Sequence, residues 1–204
     1  DQFEHASVLN SNQYNDTRGE YVLIAGIGSK RILKSDDLNA VRDFYKKENT
    51  WLFGHLGYDF KDKLENLNSR HESNFQFGDL CFFEPEIVVV QKRGEELVSF
   101  YGEKEVEVDS FLRELPKFKL GETTLPQLQA RMDKASYLSA IRELKNEIQF
   151  GNIYEINYCQ EFYANQVEVN SALVYSHLNK KSAMPFSAFY KLNNDSLMCA
   201  SPER

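Results

Sequence analysis

Short runs of β-forming residues joined by tight polar turns restrict what this sequence can fold into. Residues 87–91 and 96–101 flank the turn Lys-Arg-Gly-Glu. Residues 186–192 and 196–200 flank Asn-Asn-Asp in the same way. Both pairs have the pattern of an antiparallel hairpin. Because single helical segments lie between such runs without a regular strand–helix–strand rhythm, the sequence predicts an α+β fold, with largely antiparallel sheets and helices packed outside.

The clearest helix signal lies between Asp133 and Gly151. Asp is a favoured N-cap residue, and Gly is the residue that most often ends a helix in the left-handed conformation. Four apolar residues recur between them at helical spacing, and we expect all four to be buried: Leu138, Ile141, Leu144 and Ile148. Apolar and polar residues then alternate over 154–162, which predicts a strand.

Three further helices are predicted from weaker signals. Ser35 is a suitable N-cap for a helix over the following residues, and 106–115 has the pattern of a short helix. Asn170 or Ser171 can cap a third helix that runs to Leu178.

Composition and charge exclude several classes of protein. Hydrophobic residues make up 42% of the 204 residues, enough to close a core, and the formal net charge of −7 argues against a nucleic-acid-binding surface. The apolar runs are too short to span a bilayer, and no secretory signal pattern opens the sequence. We therefore expect no membrane or nucleic-acid partner. The three cysteines form neither a metal-ligand pair nor a disulfide framework, so we expect reduced thiols and a cytoplasmic protein. Because the sequence begins at Asp1 and stops directly after a strand-like run, we also expect it to be a piece of a longer protein.

Two polar segments are candidate sites. Glu155 and Asn157 lie on one side of the alternating segment, and Glu203 follows a buried strand pattern and a proline. A carboxylate fixed beside a sheet can act as a general acid when burial raises its pKa. Taken one at a time, each segment is explained as well by polar residues that face water. The four histidines have no metal-ligand spacing, so the residues themselves indicate no metal site.

Taken together, six segments occur in the order found in one enzyme family. Three lie in the second half of the sequence: 151–157 (Gly-Asn-Ile-Tyr-Glu-Ile-Asn), 184–190 (Met-Pro-Phe-Ser-Ala-Phe-Tyr) and 200–204 (Ala-Ser-Pro-Glu-Arg). Three lie upstream: 8–11 (Val-Leu-Asn-Ser), 18–21 (Arg-Gly-Glu-Tyr) and 53–58 (Phe-Gly-His-Leu-Gly-Tyr). The sequence resembles the large components of anthranilate synthase and aminodeoxychorismate synthase, which share a chorismate-binding domain.

The resemblance implies a division of the chain into three regions. Residues 1–115 would be the N-terminal region of an anthranilate synthase component I-like fold, and 132–204 the first part of the chorismate-binding domain. Residues 116–131, which contain two prolines and a glycine, would link them. In this family, strands from both regions share one body.

The segment 184–189 is similar to the para-aminobenzoate branch of the family. That similarity implies conversion of chorismate and ammonia to 4-amino-4-deoxychorismate, with ammonia supplied by a glutamine amidotransferase subunit. Glu203 would be the general acid, while the magnesium ligands and a lysine nucleophile would lie beyond residue 204. Two alternatives stay open: anthranilate synthase component I, and a non-catalytic ligand-binding module of the same fold.

The resemblance also implies an effector pocket for a tryptophan-like ligand. Its residues would come from two parts of the chain that lie far apart in the sequence: Ser11, Arg18, Gly19, Glu20, Tyr21, Pro185, Phe186 and Ser187.

Overall fold

The computed structural model describes residues 3–14, 19–48, 50–65, 67–68, 77–96, 98–102 and 126–202. They form two compact units, one within Asp1–Leu120 and Ser171–Arg204 and the other within Gly121–Asn170. Residues 106–115, most of the linker 116–131, Arg18 and Glu203 lie outside the described residues, so the predicted region boundaries stay a prediction.

The described strands of the first unit form two antiparallel sheets. A six-stranded sheet contains β1 (His5–Asn10), β2 (Tyr21–Ile27), β6 (Ile87–Lys92), β7 (Val98–Gly102), β10 (Phe186–Leu192) and β11 (Asp195–Ser201). A three-stranded sheet contains β3 (Arg31–Lys34), β4 (Phe53–Leu56) and β5 (Leu80–Glu84). The second unit contributes β8 (Gln129–Ala130) and β9 (Phe162–Tyr163), which pair with each other.

The order of the large sheet is β11-β10-β1-β2-β6-β7, and every neighbouring pair is antiparallel. Both predicted hairpins are present, as β6–β7 and β10–β11. Val8 of β1 pairs with Phe189 of β10, which joins the start of the chain to its last hairpin. The predicted α+β class is therefore confirmed, and so is a shared body for N-terminal and C-terminal strands.

The core of the first unit is rich in aromatic rings. Phe83 is completely buried, and its ring lies 6.0 Å from that of Phe53 and 6.4 Å from that of Tyr190. A side chain at Gly54 would overlap the backbone carbonyl of Cys81 on the neighbouring strand β5, so glycine is required for this close approach.

Four helices and one 3₁₀ turn accompany the sheets within the described ranges: α1 (Leu38–Glu48), α2 (Lys61–Leu64), α3 (Lys134–Phe150), α4 (Ser171–Lys181) and the 3₁₀ turn Tyr58–Phe60. The N-cap predicted for α1 was wrong. The carboxylate of Asp37 caps this helix by accepting a 2.9 Å hydrogen bond from the amide of Asn39, while Ser35 Oγ accepts from the amide of Asp37 at 3.0 Å. Ser35 therefore shapes the turn before the helix.

The ends of α3 agree with the prediction. Asp133 accepts hydrogen bonds from the amides of Ala135 (2.8 Å) and Ser136 (3.0 Å), and Gly151 ends the helix with φ +79°. The predicted burial of its apolar face is wrong: Leu138 is 43% and Ile148 40% exposed, and the other two apolar residues are half-buried. Within the described part of the chain, nothing covers this stripe fully.

The strand predicted over 154–162 is also wrong, since only its last residue lies in β9. A strand needs a partner for its backbone N–H and C=O groups. The described partner, β8, is two residues long, so the alternating pattern before Phe162 has no ladder to join.

Candidate functional site

A cavity of about 790 Å³ lies in the first unit, against the large sheet. Its walls come from β1 and the residues after it, from β2, from the β6–β7 turn and from the β10–β11 hairpin. Antiparallel register brings these distant segments together: Leu9 stands opposite both Ile24 and Ala188, and all three line the cavity. The site therefore depends on the central position of β1 in the sheet.

Six of the eight residues predicted for an effector pocket line this one cavity: Ser11, Gly19, Tyr21, Pro185, Phe186 and Ser187. Glu20 is not among the described lining residues, and its carboxylate instead pairs with Lys92 Nζ at 2.9 Å. Arg18 lies outside the described residues. The structure thus brings together most of the predicted set, while ligand binding by that set stays a prediction.

The lining side chains are mostly apolar. Phe186 and Leu9 are 37% and 46% exposed, although both lie within strands of the sheet. Ser187 lies between Phe186 and Ala188 and is 2% exposed, and its hydroxyl makes a 2.9 Å hydrogen bond with Tyr175 of α4. The hydroxyl of Ser187 therefore holds α4 against β10.

Two polar groups stand out against this apolar surface. Ser11 Oγ is buried and has no hydrogen-bond partner among the described residues. Arg93, in the β6–β7 turn, donates from Nε to Gly19 O at 2.9 Å and from Nη1 to Tyr14 O at 2.7 Å. Arg93 was not predicted as a cavity residue, because the sequence predicts only a turn at 92–95 and nothing local in it indicates that the arginine reaches another hairpin.

Asn12, which fixes the chain beside Ser11, was not predicted from the sequence either. Asn12 adopts φ +49°, and its Nδ2 donates at 2.8 Å both to Asn179 Oδ1 and to Met184 O. Asn179 Nδ2 donates back to Asn12 Oδ1 at 2.9 Å. This reciprocal pair ties the end of α4 and the start of the β10 segment to the turn after β1.

A second cavity of about 700 Å³ adjoins the first and shares Leu9 and Ala188 with it. His55 lies in its wall, with Nδ1 3.2 Å from Tyr190 Oη and Nε2 3.2 Å from Gly78 O. Burial raises the pKa of the Tyr190 hydroxyl, so this hydroxyl stays protonated at neutral pH. His55 is thus a hydrogen-bonded residue of the cavity wall.

The described residues form two adjoining cavities that are lined mostly by apolar side chains. Glu203, the predicted acid, lies outside the described residues. No group of three or more His, Cys, Asp or Glu side chains in the described ranges could hold a metal ion, so none of these residues is assigned to magnesium. No helix in this part of the chain is long and apolar enough to cross a membrane.

This chain is similar in sequence to several known proteins. An anthranilate synthase component I-like protein from Synechocystis is 27% identical over 160 residues, covering 76% of this chain and 33% of that protein. Aminodeoxychorismate synthase component 1 from Klebsiella aerogenes is 23% identical over 153 residues, covering 74% and 34%. The chain therefore spans about a third of the length of these relatives.

The fold has a counterpart among solved structures. Anthranilate synthase component I from Streptococcus pneumoniae superposes with a TM-score of 0.62 at 18% identity, covering 98% of this chain and 50% of that one. The sequence profile of the family described as chorismate binding enzyme matches residues 8–204, almost the whole chain. This chain therefore belongs to the chorismate binding enzyme family.

Proposed function

We propose that this chain belongs to the large component of an aminodeoxychorismate synthase. The enzyme would convert chorismate and ammonia to 4-amino-4-deoxychorismate, in the cytoplasm and with ammonia from a glutamine amidotransferase subunit. The observation that carries the proposal is the family match over residues 8–204. Two further observations favour this branch: a relative named aminodeoxychorismate synthase component 1, and the segment Met-Pro-Phe-Ser-Ala-Phe at 184–189.

The reaction replaces the C4 hydroxyl of chorismate with an amino group. Hydroxide is a poor leaving group, so its departure needs a proton from a general acid. We assign this role to Glu203, which follows β11 and Pro202 in the sequence. We also propose that the reaction requires magnesium, and we assign none of the described residues to this ion.

The test uses the complete enzyme with chorismate, magnesium and ammonia. Glu203→Gln keeps the shape of the side chain and removes its proton, so turnover should fall about 10²–10⁴-fold. Glu168→Gln is the matched control: Glu168 is an exposed glutamate in the second unit, outside the six segments that carry the resemblance, and its loss should leave turnover unchanged. Near-normal turnover by Glu203→Gln would refute the assignment of the acid.

Product analysis separates the two branches of the family. The proposal predicts 4-amino-4-deoxychorismate as the product, whereas anthranilate without it would reassign the protein to anthranilate synthase. No turnover of chorismate by the complete protein would instead favour a non-catalytic module. Replacing ammonia with glutamine plus a candidate amidotransferase subunit then tests the partner, since glutamine should support turnover only when that subunit is present.

We also propose that the 790 Å³ cavity is an effector site for a tryptophan-sized ligand. This proposal is supported by the cavity lining, in which Ser11 and Gly19 lie together with Pro185 and Phe186. Calorimetric titration of the complete protein with indole ligands tests this separately from turnover.

A further inference from the structure

We infer that α4 can undock from the large sheet as a unit while the sheet stays folded, and that this opening releases a strained turn at the rim of the 790 Å³ cavity. The inference depends neither on the proposed synthase activity nor on a ligand of the cavity. Its basis is the polar contact between α4 and the sheet, the partial burial of the helix and the backbone conformation of the turn after β1.

The contact between α4 and the large sheet contains a row of polar side chains. Three residues of the helix lie four positions apart, and therefore on one face, and each makes a hydrogen bond with the layer beneath: Ser171, Tyr175 and Asn179. Their partners are Ser196 of β11 at 3.1 Å, Ser187 of β10 at 2.9 Å and Asn12 of the turn after β1 at 2.9 Å. The row therefore crosses the sheet from β11 to β10 and ends on this turn.

The apolar side chains of α4 are at most partly buried. The structure describes all eleven residues of this helix, and none of them is buried. In the strand beneath, Phe189 is 8% exposed, and its ring lies 5.5 Å from that of Tyr175. A side-chain hydrogen bond contributes less net free energy than the burial of a large apolar side chain. Segments with few buried apolar contacts open more easily than the core, so we expect α4 to undock before the sheet unfolds.

The turn after β1 has a strained backbone. Asn12 and Gln13 are consecutive and adopt φ +49° and +57°, in the left-handed region. Asparagine tolerates this conformation better than most residues, whereas for glutamine it is sterically unfavourable. Such strain persists only where surrounding contacts hold it. Here Asn12 Nδ2 donates to Asn179 Oδ1 and to Met184 O, each at 2.8 Å, so the last residue of the row on α4 helps to hold the strained turn.

The same contacts close the rim of the cavity. Asn12 follows Ser11 in the sequence and Met184 precedes Pro185, and both Ser11 and Pro185 line the cavity. The side chain of Asn12 uses its N–H groups and its oxygen in three hydrogen bonds, two of them with Asn179. When α4 undocks, these two are lost, and the turn can relax to negative φ and move Ser11 away from Pro185. Docking of α4 thus controls how far the rim is open.

Hydrogen exchange of the complete protein under native conditions tests this opening. We expect the amides of α4 to exchange through an opening that leaves the amides of β10 protected, with protection factors about 100-fold or more below those of β10. Equal protection of α4 and β10 would show that the helix opens only when the whole unit unfolds, and would overturn the inference.

An Asn179→Ala variant removes the last contact of the row and leaves the sheet unchanged. Exchange of the α4 amides and of the turn amides of Asn12 and Tyr14 should rise by the same factor, about tenfold, as expected for the loss of two hydrogen bonds, with β10 unaffected. Lys180→Gln, at the exposed neighbouring residue of the same helix, is the control and should leave exchange unchanged. A rise confined to α4 would mean that the turn does not open with the helix, which contradicts the inference.

The variants Gln13→Gly and Gln13→Ala test the strain while Asn12 and Asn179 stay in place. Only alanine keeps a Cβ in the left-handed conformation, so the docked state is more stable with glycine. The amides of α4 should therefore exchange about fivefold more slowly in Gln13→Gly than in Gln13→Ala. Equal exchange of α4 in the two variants would show that the turn is not coupled to the docking of the helix, and would refute the inference.

Discussion

The two compact units use similar local signals but differ in how they bury apolar side chains. In the first unit, two sheets enclose Phe83 and Cys81 completely. In the second, α3 is capped at both ends, yet none of its residues is buried. The contrast shows that capping and periodicity fix where a helix begins and ends, whereas burial depends on what is placed against it.

The largest expected effect comes from the core of the first unit. Phe83→Ala removes a fully buried ring, so the free energy of unfolding should fall by about 3–5 kcal/mol in urea denaturation. Phe162→Ala, at a phenylalanine of the second unit that is 61% exposed, is the matched control and should cost far less. If both variants lost similar amounts of unfolding free energy, the expected difference in burial between the two units would be contradicted.

A smaller loss in the free energy of unfolding, equal in the two units, is expected when a glycine with positive φ is replaced by alanine. Gly151 and Gly94 both adopt φ +79°, and a Cβ at either position would meet no atom within 4 Å. Alanine at either site should therefore cost roughly 1–2 kcal/mol, the penalty of the left-handed conformation alone. Denaturation of Gly151→Ala and Gly94→Ala measures both penalties. A large difference between them would mean that packing contributes at one site.

The smallest effect is expected on the apolar face of α3. Because Leu138 is 43% exposed, Leu138→Ala should change the free energy of unfolding by about 1 kcal/mol or less. Leu192→Ala, at a leucine of the first unit that is 4% exposed, should cost about 2–5 kcal/mol in the same assay. A loss of that size at Leu138 would show that the α3 face is covered in solution.

The sequence was most informative where a structure depends on neighbouring residues. The two hairpins and both caps of α3 are local features, and the structure has them where the sequence predicted them. The strand over 154–162 and the burial of Leu138 depend on partners elsewhere in the chain, and both predictions failed. Periodicity reports the preference of a segment and carries no information about what packs against it.

The residues of the cavity were also predicted from the sequence only in part, because some of them depend on long-range contacts. Resemblance to a family identified Ser11 and Phe186 as members of one site, and both line the cavity. Arg93 was missed because two long-range hydrogen bonds, to Tyr14 and Gly19, hold its side chain at the cavity wall. Glu20 was included through the same resemblance, but its carboxylate pairs with Lys92.

The pairing of Val8 with Phe189 has a consequence for how the chain folds while it is being translated. As the chain leaves the ribosome, β1 can pair with β2 at once, but its other edge has no partner until the last hairpin has been made. Contacts between such distant segments form slowly, and an exposed strand edge invites wrong pairing while it waits. The cavity, whose walls come from both ends of the chain, cannot exist before that step. A ligand that binds there therefore stabilises only molecules that have completed their sheet.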